Sequence, residues 1–96
     1  IVGGENVYAA EVEAVLMTHT GVREAAVKGT PATGVRESLG ELIRAYIVTD
    51  GAELKAQELR RHCSKRLASY QVPPEVVCLE SLPRNPAGKV VKAELD

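Results

Sequence analysis

Glu41-Leu42-Ile43-Arg44-Ala45-Tyr46-Ile47-Val48-Thr49 has the composition and period of a β-strand. Ile43, Ala45 and Ile47 fall on one face. Leu42, Tyr46 and Val48 share the other with Arg44. Because both faces are largely apolar, both must be covered, and this strand is expected at the centre of its sheet. Asp50-Gly51 supplies the turn after it. A helix is expected next, from about Glu53 to Ala68, because Ala52, Ala56, Leu59, Cys63 and Leu67 step by four, three, four and four residues into one apolar stripe. Cys63 on that stripe is expected as a buried structural thiol. Arg60, Arg61, Lys65 and Arg66 gather towards the helix C-terminus, where cations complement the dipole. That basic face is either a phosphate-contact surface or, as the favoured reading, a solvated helix face. Tyr70 to Pro74 stops the helix, Val76 to Leu79 reads as a short strand, and Val90 to Leu95 as a last helical turn.

Upstream of the central strand, Thr30 to Gly40 is a polar stretch with a proline, two glycines and mixed charges, expected as a loop. Val22 to Lys28 reads as a strand that ends at Gly29. Before it a helix is expected from about Ala9 to Thr18, with Tyr8, Val12, Val15 and Leu16 on one face and Glu11 and Glu13 turned to water. Glu11 is expected in its first turn, Asn6 as a possible cap, and Gly21 as the end of the region. Gly3-Gly4-Glu5-Asn6 is a turn after the end of a strand at Ile1-Val2. The sum is an α+β domain with a small, mostly antiparallel sheet of about three strands flanked by two main helices.

Composition narrows the function. With 96 residues there is room for one small domain. The chain is 45% hydrophobic with three aromatics, all tyrosine, so Val, Leu, Ile and Ala must build the core. A net charge of -1 gives no bulk electrostatic case for nucleic acid or an anionic membrane. No apolar run approaches the roughly 20 residues a bilayer span needs, and no signal-peptide pattern is present. Cys63 and Cys78 lack CxxC spacing and fit a reducing cytoplasm. With His19 and His62 isolated, no metal site is expected. The first residue is Ile1 rather than Met, so the chain is expected to be cut from a longer protein.

One loop carries chemistry. In Leu82-Pro83-Arg84-Asn85-Pro86-Ala87-Gly88-Lys89-Val90-Val91-Lys92, two prolines lock φ, Gly88 allows a turn that a β-carbon would hinder, and Lys89 follows at once. On local chemistry this is either an ordinary turn with a surface lysine or a fixed ammonium aimed at a carboxylate or phosphate. No Ser-His-Asp arrangement, GxxxxGK[ST] or GxGxxG accompanies it, so the chain has no means of binding and activating a nucleotide unaided.

Four stretches together resemble adenylate-forming enzymes, specifically acyl-CoA synthetases. Gly3-Gly4-Glu5-Asn6-Val7-Tyr8-Ala9-Ala10-Glu11-Val12-Glu13 resembles their GGENxxPxEVE signature. Gly40-Glu41 matches their usual GE before the central strand. Leu67-Ala68-Ser69-Tyr70-Gln71-Val72-Pro73 resembles LAxYKVP, and Leu82 to Lys92 resembles LPRTxxGKxxR/K. Ala9 stands in place of the frequent proline, Thr20 follows His19 where proline is common, Gln71 replaces a frequent lysine, and Lys92 a frequent arginine.

The resemblance implies that residues 1–96 are the mobile C-terminal domain of a two-domain ligase, whose large N-terminal domain holds ATP, magnesium and the carboxylic acid. The hinge residue is expected just upstream of Ile1. The acid attacks ATP to give an acyl-adenylate, and coenzyme A then displaces AMP to give a thioester, as in fatty acid metabolism. By resemblance Lys89 is the adenylation lysine, Arg84, Pro86 and Gly88 support its loop, and Gly3, Gly4, Glu5 and Asn6 line the pantetheine path. Two rivals remain open: an enzyme that loads a carrier protein's thiol, and a non-catalytic docking module of the same fold. The isolated chain is expected to be inactive and to hold no cofactor.

Overall fold

The computed structural model describes residues 7–31, 41–51 and 54–95. Its elements in chain order are α1 (Val7–Met17), β1 (Val22–Pro31), β2 (Glu41–Thr49), α2 (Ala56–Ser64) and β3 (Glu75–Cys78), with 3-10 turns at Ser69–Gln71 and Lys92–Glu94.

The strand with two apolar faces is central. The sheet order is β1-β2-β3. β1 and β2 run antiparallel from Val22↔Thr49 to Pro31↔Glu41, with an irregularity between Val22 and Glu24. β2 and β3 run parallel from Arg44↔Glu75 to Ile47↔Cys78. A parallel pair needs a crossover, and α2 provides it. The longer pair is therefore antiparallel and the shorter one parallel.

Each face of β2 has its own cover. Ile43, Ala45 and Ile47 pack with Val27 of β1, with Ala9, Val12 and Leu16 of α1, and with Leu59 and Cys63 of α2. Tyr46 and Val48 pack with Ala26, Leu82 and Leu95 on the opposite face. Both helices thus lie on one side, and the C-terminal segment wraps the other. Tyr46 is 0% exposed, which makes it the largest wholly buried side chain beneath that wrap.

Several expectations shift. β1 continues through Gly29 to Pro31, because Gly29, Thr30 and Pro31 find partners in Ile43, Leu42 and Glu41. Thr30 and Pro31 therefore belong to a strand and not to the expected loop; the remainder of that loop lies outside the described residues. Proline is tolerated there because β1 is an edge strand. α2 is shorter than its apolar stripe suggests. Lys55 is extended and acts as its N-cap, Ala56 is exposed, and Leu67 packs against the core from beyond the helix end. The tightening that ends α2 is visible in Arg66 and Leu67, whose N–H groups both donate to the Cys63 carbonyl.

α1 begins at Val7, which puts Glu11 in its second turn. Glu13 is half-buried rather than turned wholly to water. Its carboxylate accepts the Val27 N–H of β1 at 2.8 Å and pairs with Lys92 at 2.8 Å. Ile1, Val2, Asn6 and Ala52 fall outside the described residues, as does the side chain of Tyr8.

Candidate active-site loop

From Asn85 to Lys89 the loop is organised by one side chain. Asn85 donates its N–H to the Lys89 carbonyl at 2.9 Å and accepts the Gly88 N–H on its own carbonyl at 2.9 Å. Its Oδ1 accepts the N–H groups of Ala87 and Lys89, both at 3.0 Å. Pro86 has no N–H, so every backbone donor in the loop is satisfied. Asn at the first turn position, Pro at the second and Gly at the fourth are the residues this turn favours. Gly88 has φ +89°, in the left-handed region that glycine enters freely. An antiparallel bridge between Arg84 and Val90, with the Val91 N–H on the Pro83 carbonyl at 2.8 Å, closes the stems.

Arg84 braces the turn from outside. One guanidinium nitrogen donates to the Gly88 carbonyl at 2.6 Å, and the other to Glu24 of β1 at 2.6 Å. The loop's Lys89 is exposed, and among the described residues its ammonium has no hydrogen-bond or ion-pair partner. A satisfied backbone thus presents one free positive charge. Such a charge can meet a carboxylate or a phosphate but has no chemistry of its own without them.

Of the expected site residues, the structure brings Arg84, Pro86, Gly88 and Lys89 together. Gly3, Gly4, Glu5 and Asn6 lie outside the described residues. Asn85, Glu24 and Glu13 were not singled out as site residues from the sequence. For Asn85 the signal was present, since Asn before Pro-x-Gly favours a side-chain-closed turn. For Glu13 and Glu24 no local pattern points to partners about 60 residues away or more.

Elsewhere the electrostatics serve packing. Thr18 Oγ1 donates to the Val15 carbonyl at 2.6 Å, so Thr18 Oγ1 in turn accepts the His62 Nε2–H at 2.7 Å. Burial, then the charge of Arg66, lowers the pKa of His62. The Cys63 thiol is pushed up by burial, as a structural thiol would be. The Glu75 carboxylate raises Arg44 through their hydrogen bond. Buried Gln71 donates to Glu11 at 2.7 Å and accepts the Ala68 N–H at 3.0 Å, tying the segment after α2 to α1. Arg60, Arg61 and Lys65 are exposed on the basic face of α2 and its C-terminal extension. Among the described residues, no group of three or more His, Cys, Asp or Glu could hold a metal ion, and no helix is long and apolar enough to cross a membrane.

The fold and the loop have relatives. A long-chain-fatty-acid–CoA ligase of Mycobacterium tuberculosis, FadD13, is 44% identical over 95 residues, which are 99% of this chain and 18% of that protein. The fatty acid–[acyl-carrier-protein] ligase ScoC of Streptomyces coeruleorubidus is 41% identical over 96 residues, again 99% of this chain and 18% of that protein. The solved structure of o-succinylbenzoate CoA synthetase (MenE) from Bacillus subtilis, in complex with the acyl-adenylate intermediate OSB-AMP, matches with a TM-score of 0.85 at 40% identity, covering 100% of this chain and 19% of that one. This chain therefore spans less than a fifth of the length of each of these relatives. A family model for the AMP-binding enzyme C-terminal domain matches residues 11–89, from α1 to the loop lysine, and the chain belongs to that family.

Proposed function

We propose that this chain is the small mobile domain of an ATP-dependent acid–thiol ligase and that Lys89 is its adenylation lysine. The observation that carries the reading is the loop itself. An exposed, unpartnered ammonium sits on a backbone whose donors from Asn85 to Lys89 are all satisfied, at the end of the family match. In the first half-reaction a carboxylate oxygen attacks the α-phosphorus of ATP and pyrophosphate leaves. Lys89, placed between carboxylate and phosphate, would draw the two anions together and offset the charge that develops on the phosphoryl oxygens. In the second, a thiol sulfur attacks the acyl carbonyl and AMP leaves with the bonding pair. Lys89 has no part in that step; Gly3, Gly4, Glu5 and Asn6 would replace it and line the pantetheine path. ATP, its magnesium and the acid belong to a large N-terminal domain of the same protein, and the small domain rotates between the two steps. The free thiols Cys63 and Cys78 suit a cytoplasmic enzyme.

Coenzyme A is the proposed acceptor, because the acyl-CoA ligase FadD13 is 44% identical to this chain. A carrier-protein thiol is the second reading, favoured by the resemblance to ScoC. Product formation with free coenzyme A separates them. A non-catalytic docking role is disfavoured by the retained Gly88-Lys89 turn.

The test is Lys89→Ala in the full-length enzyme. ATP–pyrophosphate exchange should fall by about 100-fold or more, as when a charge-stabilising donor is lost. Thioester formation from preformed acyl-adenylate should be largely retained. Equal loss in both halves would end the division of labour, and turnover by the 96-residue chain alone would end the two-domain reading.

A further inference from the structure

We propose that Glu13 and Glu24 are positioning residues for the Lys89 loop, each gripping the cation on one of its stems. This inference rests on the reading of Lys89 as the adenylation lysine.

The loop is exposed from Asn85 to Lys89, so packing of its own side chains does not fix where it points. Its place depends on its stems. On the first stem, Arg84 spans the Gly88 carbonyl and the Glu24 carboxylate, both at 2.6 Å. On the second, the Lys92 ammonium meets Glu13 Oε2 at 2.8 Å, and the same oxygen accepts the Val27 N–H at 2.8 Å. Beyond it, Lys28 of β1 donates to the Leu95 carbonyl at 2.6 Å. The loop is therefore held on both sides by the α1/β1 unit. In the sequence, α1 also follows directly on Gly3, Gly4, Glu5 and Asn6. The Glu13–Lys92 pair thus joins the helix that follows the proposed pantetheine residues to the stem of the lysine loop.

The chemistry of the two grips differs. A guanidinium is a planar fork that serves two acceptors at once, whereas one ammonium nitrogen is a point charge. Lysine at position 84 would therefore keep the charge opposite Glu24 but lose the Gly88 carbonyl. Glu13 and Lys92 are the better shielded pair, with side chains 25% and 15% exposed, against 29% for Glu24 and 43% for Arg84. Partly exposed ion pairs add little to stability. Their loss should appear in the aim of the lysine before it appears in the fold.

The experiment compares Glu13→Gln, Glu24→Gln and Arg84→Lys with Lys89→Ala in the full-length enzyme. Glutamine at 13 keeps an acceptor for the Val27 N–H while removing the charge, and Lys92→Met removes the same pair from its other end. Maximal ATP–pyrophosphate exchange, KM for ATP and acid, thioester formation from preformed acyl-adenylate, and Tm are measured for each. The maximal exchange rate should fall about 10-fold or more, since small misplacement of a reacting group is costly. KM, the thioester rate and Tm should stay near wild type, and Arg84→Lys should behave like Glu24→Gln. Wild-type exchange in all of these variants, beside a crippled Lys89→Ala, would overturn the positioning role and leave the role of Lys89 standing. Equal losses in both half-reactions, or losses that track Tm, would also overturn it, since that is the mark of a purely structural role. Wild-type exchange in Lys89→Ala would instead overturn the reading of the lysine, and this inference with it.

Discussion

Replacing Gly88 by alanine separates the shape of the loop from its charge, and the structure supplies a matched control. Gly88 has φ +89° and Gly51, in the turn after β2, has φ +80°. A β-carbon added at either position meets no atom within 4 Å. Steric collision is therefore absent, and the cost of each substitution is the left-handed backbone, about 1–2 kcal/mol for an L-residue. Alanine also restricts the unfolded chain, which returns about 0.4–1 kcal/mol. The net loss is about 1 kcal/mol at both sites, or a Tm lowered by about 4–8 °C in a chain of this size.

The two variants should then part company in activity. If the loop around Gly88 relaxes to relieve the strain, the hydrogen bonds that centre on Asn85 and the Arg84 contact with the Gly88 carbonyl are disturbed, and Lys89 is re-aimed. Gly51 follows β2, takes no part in the hydrogen bonds that build the Asn85–Lys89 turn, and has no lysine beside it. Thermal melting of the 96-residue chain measures the common cost, and ATP–pyrophosphate exchange by the proposed full-length ligase measures the difference. Gly88→Ala should depress exchange well beyond Gly51→Ala at similar Tm. Equal exchange rates in the two variants would refute the claim that this turn aims the lysine.

Two further outcomes follow from the seams of the fold. Gln71→Leu leaves the Ala68 N–H without its acceptor and Glu11 without its donor, so urea denaturation should show a loss of about 1–3 kcal/mol with the m-value unchanged. His62 has a folded pKa below its unfolded value of 6.5, so the unfolded chain binds the proton more readily. Its contribution is fully present above about pH 6.5 and is lost as pH falls from there through the depressed folded value. Denaturation midpoints measured across that window should fall with pH, and His62→Gln should flatten that part of the slope.

What could be read in the sequence was whatever depends on period and local chemistry. Glu41–Thr49 could be bounded because its alternation is apolar on both phases, and Ile43, Ala45 and Ile47 do face a different cover from Tyr46 and Val48. Leu59 and Cys63 were readable as the buried stripe of α2, but the apolar period outruns the helix at both ends. An apolar period runs on through Ala56 and Leu67, while the backbone has already left the helix at Lys55 and after Ser64. Nothing periodic marks those exits. β1 instead outruns its apolar period. Gly29, Thr30 and Pro31 look like loop residues, yet β2 offers them a ladder to join. The glycine turn of the loop was legible, since a positive φ at Gly88 follows from residue type. Its braces were not, because Glu13 and Glu24 reach it only through the tertiary fold.

The central strand and the lysine loop are therefore parts of one device. Lys89 has a flexible stem, so a fixed charge requires a fixed backbone beneath it. Asn85 fixes the turn within itself, and Arg84 and Lys92 fix the turn to the α1/β1 unit. The remaining freedom is that of the stems against the sheet, which Leu82 and Leu95 remove by packing on Tyr46 and Val48. Those two β2 residues belong to the face that the helices leave uncovered. A strand with one polar face would still build the helical side of the domain, through Ile43, Ala45 and Ile47. It would leave the C-terminal segment without a floor. The second apolar face of β2, which first marks the strand as central, is thus the floor on which the stems of the lysine loop rest.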